Sequence, residues 1–152
     1  MTKHLDNRLG RNLRHPAGGG AAVEFALVLP IFMLLVMGAL DYGYFFFSDQ
    51  VVSGAAREGA RAGTMVNPAN GNTAATDAAK AAAYQYMTNN GISCYPLSGD
   101  TCITATIQTV SAATLSMQAV DVVIDHEFRS LTGYSSLVIP KRIYGHSVMR
   151  WQ

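Results

Sequence analysis

The sequence predicts an α+β protein: a long N-terminal transmembrane helix, then a small outer domain in which a second helix packs on an antiparallel sheet. Three observations predict it: an uncharged apolar run at 25–40, an alanine-rich stretch at 73–88, and alternating apolar and polar residues after 102. The chain of 152 residues is long enough for one compact domain and an anchor, but too short for two full domains.

The apolar run is long enough to cross a bilayer. No residue from Phe25 to Leu40 is charged. The window 20–40 reaches roughly 30 Å at about 1.5 Å per residue, which matches a bilayer core. Glu24 lies just inside its N-terminal edge, where an unpaired buried carboxylate costs about 3 kcal/mol. We therefore expect a span over 20–40 within a helix over 20–63, with Glu24 either paired or reaching headgroup water.

The basic residues before the span predict its orientation. Residues 1–19 carry four basic side chains and one acidic side chain, a net charge of +3, whereas residues 20–152 carry seven basic and nine acidic side chains. A basic segment next to a span favours a cytoplasmic N-terminus, so the domain at 64–152 is expected outside the cytoplasm. A nucleic-acid-binding arm is the alternative, and it is disfavoured because the basic tract is short and adjoins the span.

Beyond Leu40 the helix is expected to continue into water. An aromatic cluster at 42–47 predicts a belt at the outer membrane interface. Small residues then line one helix face, while Arg57, Glu58 and Arg61 line another. These three residues form either a solvated face or a contact surface for a partner helix. Turn-forming residues at 67–71 end the helix.

The rest of the chain predicts a helix over 73–88, capped by Asn72 or Thr73, and strands at 103–108, 117–128 and 143–151. Cys94 and Cys102 bracket seven residues between the helix and the first strand. In an exported segment such a pair indicates a loop-closing disulfide. Reduced thiols and a zinc site are the alternatives, the second disfavoured because no further ligand is near in sequence.

No pattern predicts an enzyme, a cofactor or a metal site. The chain has no phosphate-binding glycine loop, no nucleophile elbow and no Cys-x-x-Cys motif. His126, between Asp125 and Glu127, is the strongest metal candidate, but a solvated strand end is the favoured interpretation. We therefore expect no catalytic residues, and a structural rather than a catalytic role.

The segment Gly19-Gly20-Ala21-Ala22-Val23-Glu24-Phe25 resembles the prepilin peptidase site of type IV pilin-like proteins. The run from Gly20 to Pro30 is similar to the TadE-like pseudopilins of the Tad (tight adherence) system, as are residues 55–62 and 145–150. The resemblance implies a pilin-like fold and cleavage between Gly19 and Gly20, which makes Glu24 the fifth mature residue. It also implies that Glu24 pairs with the N-terminal amine of a neighbouring subunit.

On this resemblance the protein is a minor pilin that takes part in assembling a Tad-type pilus. The implied partners are a prepilin peptidase, a sister pseudopilin, the major pilin, the inner-membrane assembly platform and the lipid bilayer. The implied location is the bacterial inner membrane, with a single span. The leader does not separate TadE-like proteins from their sister pseudopilins, or an initiating from a capping or regulatory role. A permanently anchored binding module with an uncleaved leader is the alternative.

Overall fold

The computed structural model describes residues 19–94, 102–112, 115–133 and 139–151. Helix α1 (Gly19–Thr64) is followed by a short 3-10 helix (Pro68–Asn70), helix α2 (Gly71–Asn89), and strands β1 (Ile103–Ala112), β2 (Leu115–Glu127) and β3 (Arg142–Trp151). The predicted α+β class, with one long apolar helix, a second helix and an antiparallel sheet, is confirmed.

The chain forms two compact units, Met1–Leu35 and Val36–Gln152. The described part of the first unit is the N-terminal part of α1. The second unit contains the remainder of α1 together with α2 and the three strands. The C-terminal part of α1 is therefore one of the packed layers of the outer domain.

The turn between the helices differs in detail from the prediction. Asn67 caps the 3-10 helix, since its side-chain oxygen accepts a hydrogen bond from the Ala69 N–H at 2.9 Å. Helix α2 then begins at Gly71, two residues earlier than predicted, so Asn72 and Thr73 lie inside it rather than capping it. Gly71 has a φ of 86°, a backbone conformation that glycine adopts without strain.

The sheet is antiparallel in the order β1-β2-β3, with β2 in the centre. Ile107 faces Val120 across one pair of strands, and Val120 faces Met149 across the other. The even-numbered residues of β2 from 120 to 126 point into the core, where Val120, Val122 and Ile124 are fully buried. The alternation seen in the sequence thus separates an inner from an outer sheet face.

The core is built from small residues on the two helices and aliphatic residues of the sheet. Ala55, Ala56 and Ala60 of α1 are fully buried, as are Ala75, Ala79 and Ala83 of α2. Gly59 permits the close approach of the two helices: a methyl group there would lie 2.8 Å from the carbonyl oxygen of Ala79. Gly63 is equally confined, by Val120 and Ala75. The small-residue face of α1 is therefore a packing face.

Candidate membrane anchor and assembly helix

The N-terminal part of α1 is an apolar surface that the described chain leaves uncovered. Within the described residues, α1 is the one helix long and apolar enough to span a membrane, and none of its most apolar 18-residue window is buried. Phe25, Leu27 and Leu35 are each about two-thirds exposed. Such a surface needs a non-aqueous environment, because each exposed large apolar side chain forfeits roughly 1.5–3 kcal/mol of burial energy in water. The helix is therefore a candidate single-pass membrane anchor.

The predicted processing residues lie in the first two turns of this helix. Gly19 begins α1, and Gly20, Glu24 and Phe25 follow within it. Glu24 is exposed and forms no ion pair with any described residue. A methyl group at Gly19 or Gly20 would meet nothing within 4 Å among the described residues. The fold therefore supplies no packing reason for glycine at either position. Cleavage itself stays a prediction.

Asp41, one residue beyond the apolar run, is fully buried and bound by a distant loop. The backbone N–H groups of Leu131 and Thr132 each donate to its Oδ1 atom at 3.1 Å. The Thr132 hydroxyl donates to its Oδ2 atom. A carboxylate is stable away from water only with such donors, so this contact fixes the loop at 129–133 against α1. The sequence did not predict it, because the partners lie about ninety residues apart.

The predicted aromatic belt divides into two groups. Tyr42, Phe46 and Phe47 are exposed, as an interfacial belt requires. Tyr44 and Phe45 instead pack on Phe128, with ring centroids 5.7 and 5.3 Å apart. The prediction of a continuous belt was therefore wrong for these two residues: the helix turns them towards the end of β2, where they join the core.

The polar helix face predicted at Arg57, Glu58 and Arg61 stands opposite the packing face. Arg57 and Arg61 are exposed. Arg61 forms a two-pronged ion pair with Glu58, with its Nε and Nη2 atoms 2.9 and 2.5 Å from the two carboxylate oxygens. The hydrogen bonds from Arg61 lower the pKa of Glu58 and raise the pKa of Arg61. The face is preordered and accessible, and its use as a contact surface remains a prediction.

Cys94 and Cys102 form the disulfide that their spacing predicted, with Cα atoms 5.9 Å apart. The bridge joins the segment after α2 to the residue before β1. The carbonyl of Cys102 also accepts a hydrogen bond from the Asp125 N–H at 2.9 Å. The disulfide therefore connects the second helix to the edge of the sheet, and residues 95–101 that it encloses lie outside the described residues.

His126 is not the solvated strand end that the sequence favoured. Its position on β2 shares the inward parity of Val122 and Ile124, and the residue is buried. Burial lowers its pKa, while the neighbouring charges of Glu127 and Asp125 act in the opposite direction. Among the described residues, no three His, Cys, Asp or Glu side chains come together as a metal site. The alternation of β2 was the signal that placed His126 inside.

The outer sheet face carries a polar cluster that the sequence analysis missed. The Asp121 carboxylate accepts a hydrogen bond from Gln108 Nε2 at 2.6 Å and lies 2.9 Å from His146 Nε2. Asp121 belongs to the central strand, and its two partners come from β1 and β3. The cluster therefore ties the three strands together. Finding it required the strand register, which residue spacing alone does not supply.

The described chain combines one uncovered apolar helix, long enough to span a membrane, with a small α+β domain, which is the architecture of a protein with a candidate single membrane span. The family model described as TadE-like protein matches residues 19–61. No curated protein and no solved structure matches the chain significantly. The family match covers α1 almost completely and confirms the resemblance for this segment, whereas residues 145–150 lie outside the match. The similarity lies in this helix, and the residues of the outer domain beyond 61 are outside the match.

Proposed function

We propose that this protein is a minor pilin that is cleaved after Gly19 and then takes part in assembling a Tad-type pilus through its mature N-terminal helix. The observation that carries the proposal is the combination, at the start of α1, of two glycines that the fold does not require and an exposed glutamate four residues after Gly20. The uncovered apolar surface that follows supplies the packing face for membrane and neighbouring helices.

The two glycines argue for recognition by another protein. Glycine inside a helix costs roughly 0.5–1 kcal/mol relative to alanine. Gly59 and Gly63 compensate that cost by letting α1 pack closely on its neighbours, but Gly19 and Gly20 face open space. Gly38 and Gly43 of α1 also meet open space. The pair at 19–20 differs from them by its position just before Glu24 and the apolar run. A peptidase that must accept an extended, unhindered backbone supplies the missing reason.

Glu24 is the residue that sets the axial register of the assembled helices. Four residues of helix place it about 6 Å along the axis from Gly20. Cleavage after Gly19 would create an α-amino group at Gly20, and an amine from a neighbouring subunit is a suitable partner for a carboxylate at a membrane edge. In this proposal each subunit advances until its amine meets the Glu24 carboxylate of the next subunit.

The orientation follows from charge and redox chemistry. The net charge of +3 on residues 1–19 keeps the leader in the cytoplasm, where a membrane-embedded peptidase would cut it. The disulfide is stable outside the reducing cytoplasm. In this proposal the protein resides in the inner membrane with its domain outside, and its role is structural rather than catalytic. Its partners are the prepilin peptidase, a sister pseudopilin, the major pilin and the assembly platform.

The assembly role is tested by replacing Glu24 with alanine in cells that express the complete pilus system. Glu24→Ala should be processed normally and inserted, yet fail to support pilus assembly, because the amine of the neighbouring subunit loses its partner. Asp77→Ala, an exposed acidic residue on α2, is the matched control and should assemble normally. Normal pili from Glu24→Ala, with processing intact, would exclude the register mechanism.

A further inference from the structure

The loop at 129–133 is bound to the residue of α1 that directly follows its apolar run. Its residues Leu131 and Thr132 donate their backbone N–H groups to Asp41, which follows Leu40 directly. Cα–Cβ bonds of a helix tilt towards its N-terminus, so the Asp41 carboxylate lies on the side of Leu40 rather than of Tyr42. The loop is therefore held beside the last apolar residues of the span.

Leu131 is an apolar side chain that this loop presents to solvent. It is 68% exposed, although the N–H of the same residue is bound to a fully buried carboxylate. Met37 and Leu40, which belong to the same compact unit, are also exposed on the helix. These exposed apolar side chains belong to the loop bound to Asp41 and to the helix residues just before Asp41, and the acyl boundary of a membrane is a suitable environment for them.

The distance of Asp41 from the end of the apolar run is within the thickness of a headgroup layer. A bilayer core of about 30 Å within a total of about 40–45 Å leaves about 5–7 Å of headgroup region on each side. Asp41 is one residue, about 1.5 Å, beyond Leu40. A loop bound to Asp41 therefore lies within that layer. Lys141 is an exposed cation at the same end of the domain, since its carbonyl accepts a hydrogen bond from the Phe128 N–H at 2.9 Å.

We propose that the loop at 129–133 is a second membrane contact, in which Leu131 inserts into the outer leaflet beside the span while Asp41 holds the loop in place. The occupant is the bilayer that contains the protein's own helix. The contact rests on the membrane anchor, but not on cleavage or pilus assembly.

The test uses Leu131→Cys in the full chain, labelled with an environment-sensitive fluorophore and reconstituted in phosphatidylcholine–phosphatidylglycerol nanodiscs. Cys94 and Cys102 are joined and do not take the label. Some of the lipids carry a nitroxide quencher on the upper part of an acyl chain, so that both the acyl boundary and the upper part of the span lie within its range. Val110→Cys is the matched control: it is exposed on β1, and its partner Met117 lies ten residues, about 33 Å, along β2 from Glu127. Leu34→Cys reports on the span itself.

The proposal predicts quenching of the label at position 131 that is several-fold stronger than at 110 and comparable to that at 34. Equal quenching at 131 and 110, with strong quenching at 34, would overturn the loop contact and leave the anchor in place. Weak quenching at all three positions would overturn the anchor and the loop contact together. Retention of the leader in the reconstituted protein affects none of these results.

Discussion

Asp41 shows how a single carboxylate joins distant parts of this chain. It is buried, and its oxygens accept hydrogen bonds from two backbone N–H groups and one hydroxyl of the loop at 129–133. Removing the acceptor leaves buried donors unsatisfied, at a cost of about 1–3 kcal/mol.

We therefore predict that Asp41→Ala lowers the free energy of unfolding by about 1–3 kcal/mol. The measurement is urea unfolding of the full chain in detergent, followed by the fluorescence of Trp151. This is the single tryptophan of the chain, and it is buried with its indole N–H 2.9 Å from the Val66 carbonyl oxygen. Asp77→Ala, on the exposed face of α2, should unfold like the parent. Equal midpoints for all three proteins would contradict the assigned role of Asp41.

His126 makes stability depend on pH. Burial lowers its pKa below the ordinary value of 6.5, so the folded chain keeps it neutral where the unfolded chain binds a proton. The contribution of neutral His126 to the stability of the fold is complete above pH 6.5. It is lost progressively as the pH falls from 6.5 towards the lower pKa of the folded state.

The unfolding midpoint of the parent should accordingly decrease between about pH 7.5 and about pH 5.5. His126→Phe, which keeps a ring on the inner face of β2, should remove part of that decrease. Trp151 fluorescence in urea at the two pH values measures the difference. An identical decrease in parent and variant would show that His126 does not contribute, and that the remaining titratable groups account for the pH dependence.

At the scale of the element, the two ends of the continuous helix α1 have different surroundings. Its first turns expose large apolar side chains, whereas its last turns bury alanine and glycine against α2 and the sheet. The change in side-chain size marks the change in environment. Large residues favour lipid contact, and small residues allow two helices and a sheet to approach closely.

Alanine substitutions at two glycines of α1 distinguish these two environments experimentally. Gly59→Ala should destabilise the domain by about 1–3 kcal/mol, because its methyl group would clash with the backbone of α2. Gly43→Ala, where the same methyl group meets open space, should be neutral or slightly stabilising. Thermal unfolding monitored by circular dichroism compares the two. Tolerance of alanine at both positions would mean that α1 and α2 are not in close contact.

At the scale of the whole molecule, the sequence predicted what depends on local pattern. The length of the apolar run predicted the anchor, the alternation after Cys102 predicted the strands, and the cysteine spacing predicted the disulfide. These features follow from composition and periodicity over a few turns of chain, which is why residue spacing was sufficient.

The features that the sequence did not predict depend on pairing between distant segments. The contact of Asp41 with Thr132 joins residues 91 apart, and the cluster at Asp121 exists because β1 and β3 flank β2 in one register. His126 is different, since its inward parity was already visible beside Val122 and Ile124. Its two acidic neighbours made it the strongest metal candidate and a solvated strand end was the favoured interpretation, but the burial of its strand face decided its position.

The central claim, that the helix beginning at Gly19–Gly20 is a processed assembly helix, is tested most directly by the mature N-terminus. The measurement is the intact mass and N-terminal sequence of the membrane-extracted protein, expressed with and without a prepilin peptidase. We predict a chain that begins at Gly20 only when the peptidase is present. A chain that keeps residues 1–19 under both conditions would contradict the claim, leave Glu24 as an interfacial side chain, and favour a permanently anchored binding module.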